Sequence, residues 1–327
     1  MSTDNPHNNC LTIGNPLPST ILKPVTIGCV ALEKLANQIH FVVRGVTSKG
    51  VFLEIDNHWI VYLSSEKYKG PLNINLPGQS DRFAKLLSVN THGLITNEQT
   101  LQFPQMVSIL TKGVPVWSAK KTRQPNMAMR YLDIENQLLV QVRKEISSKN
   151  DLFVSVLALL GKDPRPISTL SDPEIFNQTT SICTAFKDKN LRLFEQAVDF
   201  FIGRGAGLTP SGDDFLLGLV YSLYRFDILY PFRLDTLKDS ITQAANKTTL
   251  ISANLIRCAA QGEVDERLLN AFDYLITNRY PPPEVVSGIM NWGSSSGVDA
   301  LAGMSVGSYL FLNNPNHYPQ ELFREKL

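Results

Sequence analysis

Two segments of this 327-residue chain carry hydroxyls, glycines and carboxylates in the same order. Residues 203–224 read GRGAGLTPSGDDFLLGLVYSLY, and residues 293–310 read GSSSGVDALAGMSVGSYL. Both contain S-G-x-D-x-L-x-G: Ser211, Gly212, Asp214, Leu216 and Gly218, then Ser296, Gly297, Asp299, Leu301 and Gly303. The simplest use of Ser-x-x-Asp is a capping box, which starts a helix and does no chemistry. Three features exceed that need. Glycine directly after the cap costs roughly 1 kcal/mol relative to alanine, so Gly212 and Gly297 mark backbone that something approaches closely. Gly203, Gly205 and Gly207 crowd the entry to the first segment, and Thr209-Pro210 fixes its angle. Gly218 and Gly303 fall mid-helix on matching faces, so the two helices are expected to cross there and bring their N-termini together.

A helix N-terminus offers free N–H groups and a partial positive charge, which suit a phosphate or carboxylate. A third hydroxyl-rich helix start lies between the two, in KTTLISAN (247–254). The expected anion site therefore collects Gly207, Thr209, Ser211, Gly212, Thr248, Thr249, Ser252, Ser295, Ser296 and Gly297. Asp213, Asp214 and Asp299 are the candidate catalytic groups. A carboxylate here can orient a ligand NH group, act as a base or hold Mg²⁺ through water, or it can simply favour the helix dipole. Arg204 and Lys247 could add positive charge, although a lone cation of this kind is more often surface. Neither a Walker motif nor a G-x-G-x-x-G fingerprint is present.

The surrounding pattern changes character along the chain. Residues 1–20, rich in Asn, Pro, Ser and Thr, read as a loose leader without a signal-peptide pattern. Residues 21–115 hold short runs rich in Val, Ile, Phe and Tyr (HFVVRGVT, GVFLEI, WIVYLS, LNINL), with turn-like SKG and DNH between some of them. These predict a mostly antiparallel β domain, a barrel or sandwich, with short helices at Ala31–Gln38 and Ser80–Leu87. Residues 116–133 read as a basic linker or wrapping loop, whose Lys120, Lys121 and Arg123 are expected on a solvated surface. From 134 to 327 the period becomes helical. Helices are expected at 134–147, 151–160, 172–187, 190–202, 211–226, 233–246, 249–261, 265–276, 284–290 and 297–312. The fold class is α+β, with a β domain followed by a larger helical domain that carries both motifs.

Composition narrows the partners. With 31 Lys+Arg against 30 Asp+Glu, the net charge of +1 gives no reason to expect nucleic acid. The longest apolar run, LFVSVLALL (152–160), is too short to span a bilayer, which takes about 20 residues. Cys10, Cys29, Cys183 and Cys258 are scattered, with no CxxC and no histidine at ligand spacing, as in a cytoplasmic protein with reduced thiols. His7, His40, His58, His92 and His317 lie in no catalytic motif.

The stretch GAGLTPSGDDFLLG resembles the AllH-like family of bacterial proteins, named for a subunit of oxamate carbamoyltransferase. TTLISANLIRCAAQGE (248–263) and GSSSGVDALAG (293–303) follow in the family's order, and SKGVFLEIDN and GPLNINLP look like its weaker N-terminal signals. The resemblance implies carbamoyl transfer between carbamoyl phosphate and oxamate, in allantoin and purine breakdown, in a complex with FdrA-like and AllG-like subunits. It would place the hydroxyls and glycines named above on anionic oxygens, with Asp213 or Asp299 orienting the NH₂ group or taking its proton. Two other readings stay open: a Mg²⁺-dependent hydrolase with Asp213, Asp214 and Asp299 near the metal, and a non-catalytic ligand-binding subunit.

Overall fold

The computed structural model describes residues 20–55, 58–76, 78, 87–96, 99–104, 107–120, 136–146, 151–161, 172–226, 234–277 and 279–312. The leader lies outside them except for Thr20, as do the helix expected at Ser80–Leu87 apart from Leu87, and most of the basic segment.

The N-terminal layer is one ten-stranded sheet. Its strands are β1 (Thr20–Leu22), β2 (Thr26–Gly28), β3 (His40–Thr47), β4 (Gly50–Ile55), β5 (Trp59–Ser64) and β6 (Asn73–Asn75). They continue with β7 (His92–Ile95), β8 (Thr100–Phe103), β9 (Val107–Leu110) and β10 (Val116–Trp117). The order across the sheet is β1-β9-β8-β7-β3-β4-β5-β6-β2-β10. This order forces curvature. Strands β1 and β2 sit near opposite edges, which in a flat sheet would lie roughly 38 Å apart at about 4.8 Å per strand. Only Lys23, Pro24 and Val25 join them, and that length of chain spans at most about 14 Å. The sheet must therefore curl back on itself as a half-barrel. Alternate side chains line its inside, among them Phe41 and Val43, Val51 and Leu53, Val61 and Leu63, and Leu101 and Phe103. Helix α1 (Cys29–Leu35) adds Ala31 and Leu35 to that core.

The hairpins are antiparallel, as alternation and tight turns predict. The sheet as a whole is mixed, because β1–β9, β10–β2 and β5–β6 are parallel. Those pairings close the sheet through longer connections, which a local pattern does not reveal. Residues expected to open the linker, Val116 and Trp117, instead form β10.

The helical layer contains α2 (Gln137–Glu145), α3 (Asp151–Leu159), α4 (Pro173–Asp188), α5 (Leu191–Phe201) and α6 (Ser211–Phe226). It continues with α7 (Leu234–Ala244), a 3₁₀ turn (Ala245–Lys247), α8 (Leu250–Ala260), α9 (Glu266–Thr277), α10 (Pro283–Met290) and α11 (Ser296–Leu312). Side-chain caps begin several of them: Asn136 for α2, Asp172 with Pro173 for α4, Asn190 for α5 and Thr249 for α8.

At the centre α6 crosses α11. Residues 212–223 of α6 and 296–308 of α11 are all buried, so this pair is the core rather than a face of it. The crossing is set by glycine. A Cβ on Gly218 would overlap the Ala300 carbonyl and press on the Met304 amide, and one on Gly303 would overlap the Phe215 carbonyl. The Ser222 hydroxyl reaches the carbonyls of Gly218 (3.0 Å) and Met304 (3.1 Å) across the same seam.

Polar ties lock the two layers. The buried Asn254 of α8 accepts from the Ile60 amide (2.7 Å) and donates to the His58 carbonyl (2.9 Å). Glu263 accepts from the Ser118 hydroxyl (2.6 Å) and the Ala119 amide (2.8 Å). The Glu266 amide donates to the Lys69 carbonyl (2.8 Å), and its carboxylate accepts from the Lys69 amide (3.1 Å).

Because two backbones touch at Gly218 and Gly303, Gly218→Ala or Gly303→Ala should destabilise the protein by about 3 kcal/mol, the upper end of ordinary overpacking. Urea denaturation would measure it, and a loss below about 0.5 kcal/mol would mean that the crossing tolerates a methyl group.

Candidate functional site

The crossing brings the starts of α6 and α11 side by side, and the start of α8 joins them. Thr209 and Ser296 share a hydrogen bond between their hydroxyls (3.1 Å), and Ser211 and Ser295 share a longer one (3.4 Å). The Thr249 hydroxyl donates to the Leu208 carbonyl (2.8 Å) while accepting from the Ser252 amide (3.1 Å). The Asp213 carboxylate accepts from the Gly203 amide (2.7 Å) through one oxygen and from the Thr248 hydroxyl through the other. All three hydroxyl-rich stretches therefore meet.

The loop that makes this possible runs from Ile202 to Pro210. Gly203, Gly205 and Gly207 all take positive φ (71°, 119° and 99°), a region that side chains disfavour. The turn lets the Arg204 carbonyl fold back and accept from the Gly212 amide (2.9 Å), while the Pro210 carbonyl accepts from the amides of Asp213 and Asp214. At α11 the Gly297 amide donates to the Trp292 carbonyl (3.1 Å), and the Asp299 amide to the Ser295 carbonyl (2.9 Å). The first-turn amides at these positions are thus already used by the protein. The close approach read from Gly212 and Gly297 is also internal. A Cβ at either would overlap a carbonyl of the chain itself, that of Phe201 or Ile289.

The three aspartates differ in role. Asp213, Asp214 and Asp299 are 1%, 2% and 1% exposed. Asp213 has both oxygens bonded and ties the glycine loop to the start of α8. Asp214 does not reach back as a capping box would. It sits beside Ser296 and Thr209, with its Oδ2 buried and lacking a hydrogen-bond partner among the described residues. Burial pushes its carboxyl well above the usual carboxylate range. The Ser296 and Thr209 hydroxyls oppose that rise, and the neighbouring Asp299 and Asp213 add to it. Ser252 is buried, and its hydroxyl finds no partner among the described residues.

Beside this cluster a cleft of about 350 Å³ opens between the layers. Gly207, Thr209 and Ser296 line it, so three of the expected site residues reach its wall. Ser211, Gly212, Thr248, Thr249, Ser252, Ser295, Gly297 and the three aspartates are not part of that lining. The opposite wall is apolar and comes from the sheet: Phe52, stacked on Tyr62 at 4.5 Å, with Ile60 and Leu72. Lys49 and Glu66 from the sheet layer and Asp265, Arg267 and Trp292 from the helical layer also line the cleft. The sequence pattern did not single these out. Lys49 lies in the SKG turn, and Asp265 and Arg267 lie in the charged run EVDER that ends the α8–α9 connection. Arg204 and Lys247 face solvent instead, paired with Asp172 (2.6 Å) and Asp199 (2.6 Å). Among the described residues, no group of three or more His, Cys, Asp or Glu side chains is placed to hold a metal ion, and no helix is long and apolar enough to cross a membrane.

A curled sheet followed by a helical core, with a cleft between them, defines an α+β protein. Residues 201–308 match the family described as oxamate carbamoyltransferase subunit AllH, so the resemblance carried by GLTPSGDD is shown over that segment. The match runs from the end of α5 into α11. It covers all three hydroxyl-rich starts and none of the sheet. No solved structure matches the chain.

Two outcomes follow from the aspartates. A carboxyl whose folded pKa is raised binds its proton more tightly when folded. Its contribution is full below the usual carboxylate range, near pH ~4, and is lost as pH rises through the folded value. Melting temperature from pH 4 to 9 should therefore fall more steeply in the wild type than in Asp214→Asn; parallel curves would refute a raised pKa. Asp213→Ala removes the shared acceptor of the Gly203 amide and the Thr248 hydroxyl, both in part-buried bonds, and should cost about 1–2 kcal/mol in urea denaturation.

Proposed function

We propose that this chain is the anion-binding subunit of a carbamoyltransferase that uses carbamoyl phosphate and oxamate, or a similar small acid. On this reading it works in the cytoplasm, in complex with FdrA-like and AllG-like subunits. The family description of residues 201–308 supports the reaction class. The observation that carries the site is the Thr209–Ser296 hydroxyl pair (3.1 Å), which joins two family stretches on the wall of the cleft in front of Asp214.

The reaction places definite demands on such a site. The amide nitrogen of oxamate attacks the carbamoyl carbon, the carbon–oxygen bond to phosphate breaks, and phosphate leaves with the electron pair. The nitrogen must then give up a proton. Hydroxyl donors fixed by the protein can stabilise the oxygen that gains charge. Burial pushes the Asp214 carboxyl above the usual carboxylate range, which makes its carboxylate form a stronger base toward that proton. Thr209 and Ser296 lie beside Asp214 and also on the cleft, so their hydroxyls can pass that proton inward. Positioning two anions together would supply much of the rate.

A thermal-shift and calorimetry series with carbamoyl phosphate, inorganic phosphate and oxamate tests the reading. A ligand at about 100 times its Kd should stabilise the wild type by roughly 2.7 kcal/mol. Ser296→Ala should weaken binding by about tenfold, the usual effect of losing one hydrogen bond to a charged ligand. Absence of any shift with all three compounds would end the proposal, and undiminished binding in Ser296→Ala would move the site elsewhere.

A further inference from the structure

The cleft has a second polar end, built from groups outside the hydroxyl cluster. Lys49 comes from the β3–β4 turn, Glu66 follows β5, and Arg267 lies in the first turn of α9. The Glu66 carboxylate bridges the two cations, with one oxygen 3.1 Å from Lys49 Nζ and the other 3.4 Å from Arg267 Nη1.

The cations are held without Glu66. Arg267 is only 4% exposed at its side chain. Its Nε and Nη2 donate to the two oxygens of Asp265, both at 2.8 Å. Its guanidinium also packs near the rings of Tyr68 (4.8 Å) and Trp292 (5.0 Å). Lys49 Nζ donates to the Asn291 carbonyl (3.0 Å). Glu66 is held more loosely: its contact to Arg267 is long, and its side chain is 22% exposed beside a 45% exposed lysine. Such a pair is weak and exchangeable, unlike the buried two-point pairing of Arg267 with Asp265.

We propose that Lys49 and Arg267 form a subsite for the carboxylate of a small organic acid, and that Glu66 competes with the ligand for it. Charge selects the class. Without Glu66, two positive charges face one from Asp265, which leaves a single positive charge for a monoanionic carboxylate rather than a phosphate dianion. The hydroxyl end, by contrast, offers neutral donors. The proposal rests on the cleft being the ligand site, as argued above, and it gives that site a second end for the acceptor's carboxylate.

The test has an unusual sign. Calorimetric titration of oxamate and of inorganic phosphate would be run on the wild type, Glu66→Gln, Lys49→Met and Ser296→Ala, each checked for an unchanged melting temperature. Glu66→Gln should tighten oxamate by roughly two- to fivefold, the range that release of a weak exposed ion pair allows. It should leave phosphate unchanged. Lys49→Met should weaken oxamate by about tenfold. Weaker or unchanged oxamate binding in Glu66→Gln, an equal gain for phosphate, or undiminished oxamate binding in Lys49→Met would each overturn the subsite. If Ser296→Ala still weakens phosphate in those cases, the hydroxyl end survives without it. If no anion binds the wild type, both readings fall.

Discussion

The contact of two helix backbones at Gly218 and Gly303 is the constraint from which the site derives. Side chains normally hold packed helices 8–10 Å apart. Here each glycine lets a carbonyl of the other helix take the place of a Cβ. Close approach about two turns in from the N-terminus leaves the two helix starts little room to diverge. Thr209 then reaches Ser296, and Ser211 reaches Ser295, over short side chains that could not bridge a wider gap. The small residues along the seam and the hydroxyls at its end are consequences of one distance.

That distance also has an electrostatic cost. It carries Asp214 into the core near Asp299, where burial first and that neighbour second push the Asp214 carboxyl above its usual range. A protein selected only for stability would place apolar residues here, since buried charge is weak evidence of stabilisation. Asp213 is different, because each oxygen satisfies a donor and the residue fastens a loop. Adjacent aspartates in one motif thus differ: one fastens the glycine loop, and the other is buried beside Ser296 and Thr209 with its carboxyl pushed above the usual range.

Much of the helical layer could be read from the sequence because its signals are local. The period of 3.6, the caps at Asn136, Asp172 and Asn190, and the glycines of the seam are each visible within a few residues. The expected helix at 211–226 matches α6, and 297–312 differs from α11 by one residue. The crossing was also accessible, since a mid-helix glycine is costly unless a backbone packs on it. The close approach expected at Gly212 and Gly297 is present too, and the approaching group is a carbonyl of the chain itself. A glycine reports that something is near and not what it is. The parallel pairings of the sheet, and the meeting of Lys49 with Arg267 across 218 positions of chain, are non-local and left no spacing to recognise.

The cleft belongs to neither layer alone. Residues 201–308 contribute the hydroxyl loops, Arg267 and Trp292, whereas Lys49, Glu66 and the aromatic wall come from the sheet. The ties that hold the layers together lie close to those cleft residues in the chain. Asn254, next to the cleft residue Leu255, bonds to the backbone at His58 and Ile60, and Glu266, next to Arg267, bonds to Lys69. A shift of the sheet would therefore move Lys49 and Glu66 relative to Arg267 while leaving the Thr209–Ser296 pair in place. The hydroxyl end is fixed by helix packing, and the cationic end by the register between layers. A ligand that spans both would have to favour one register, so its affinity would measure how firmly the two layers are held together.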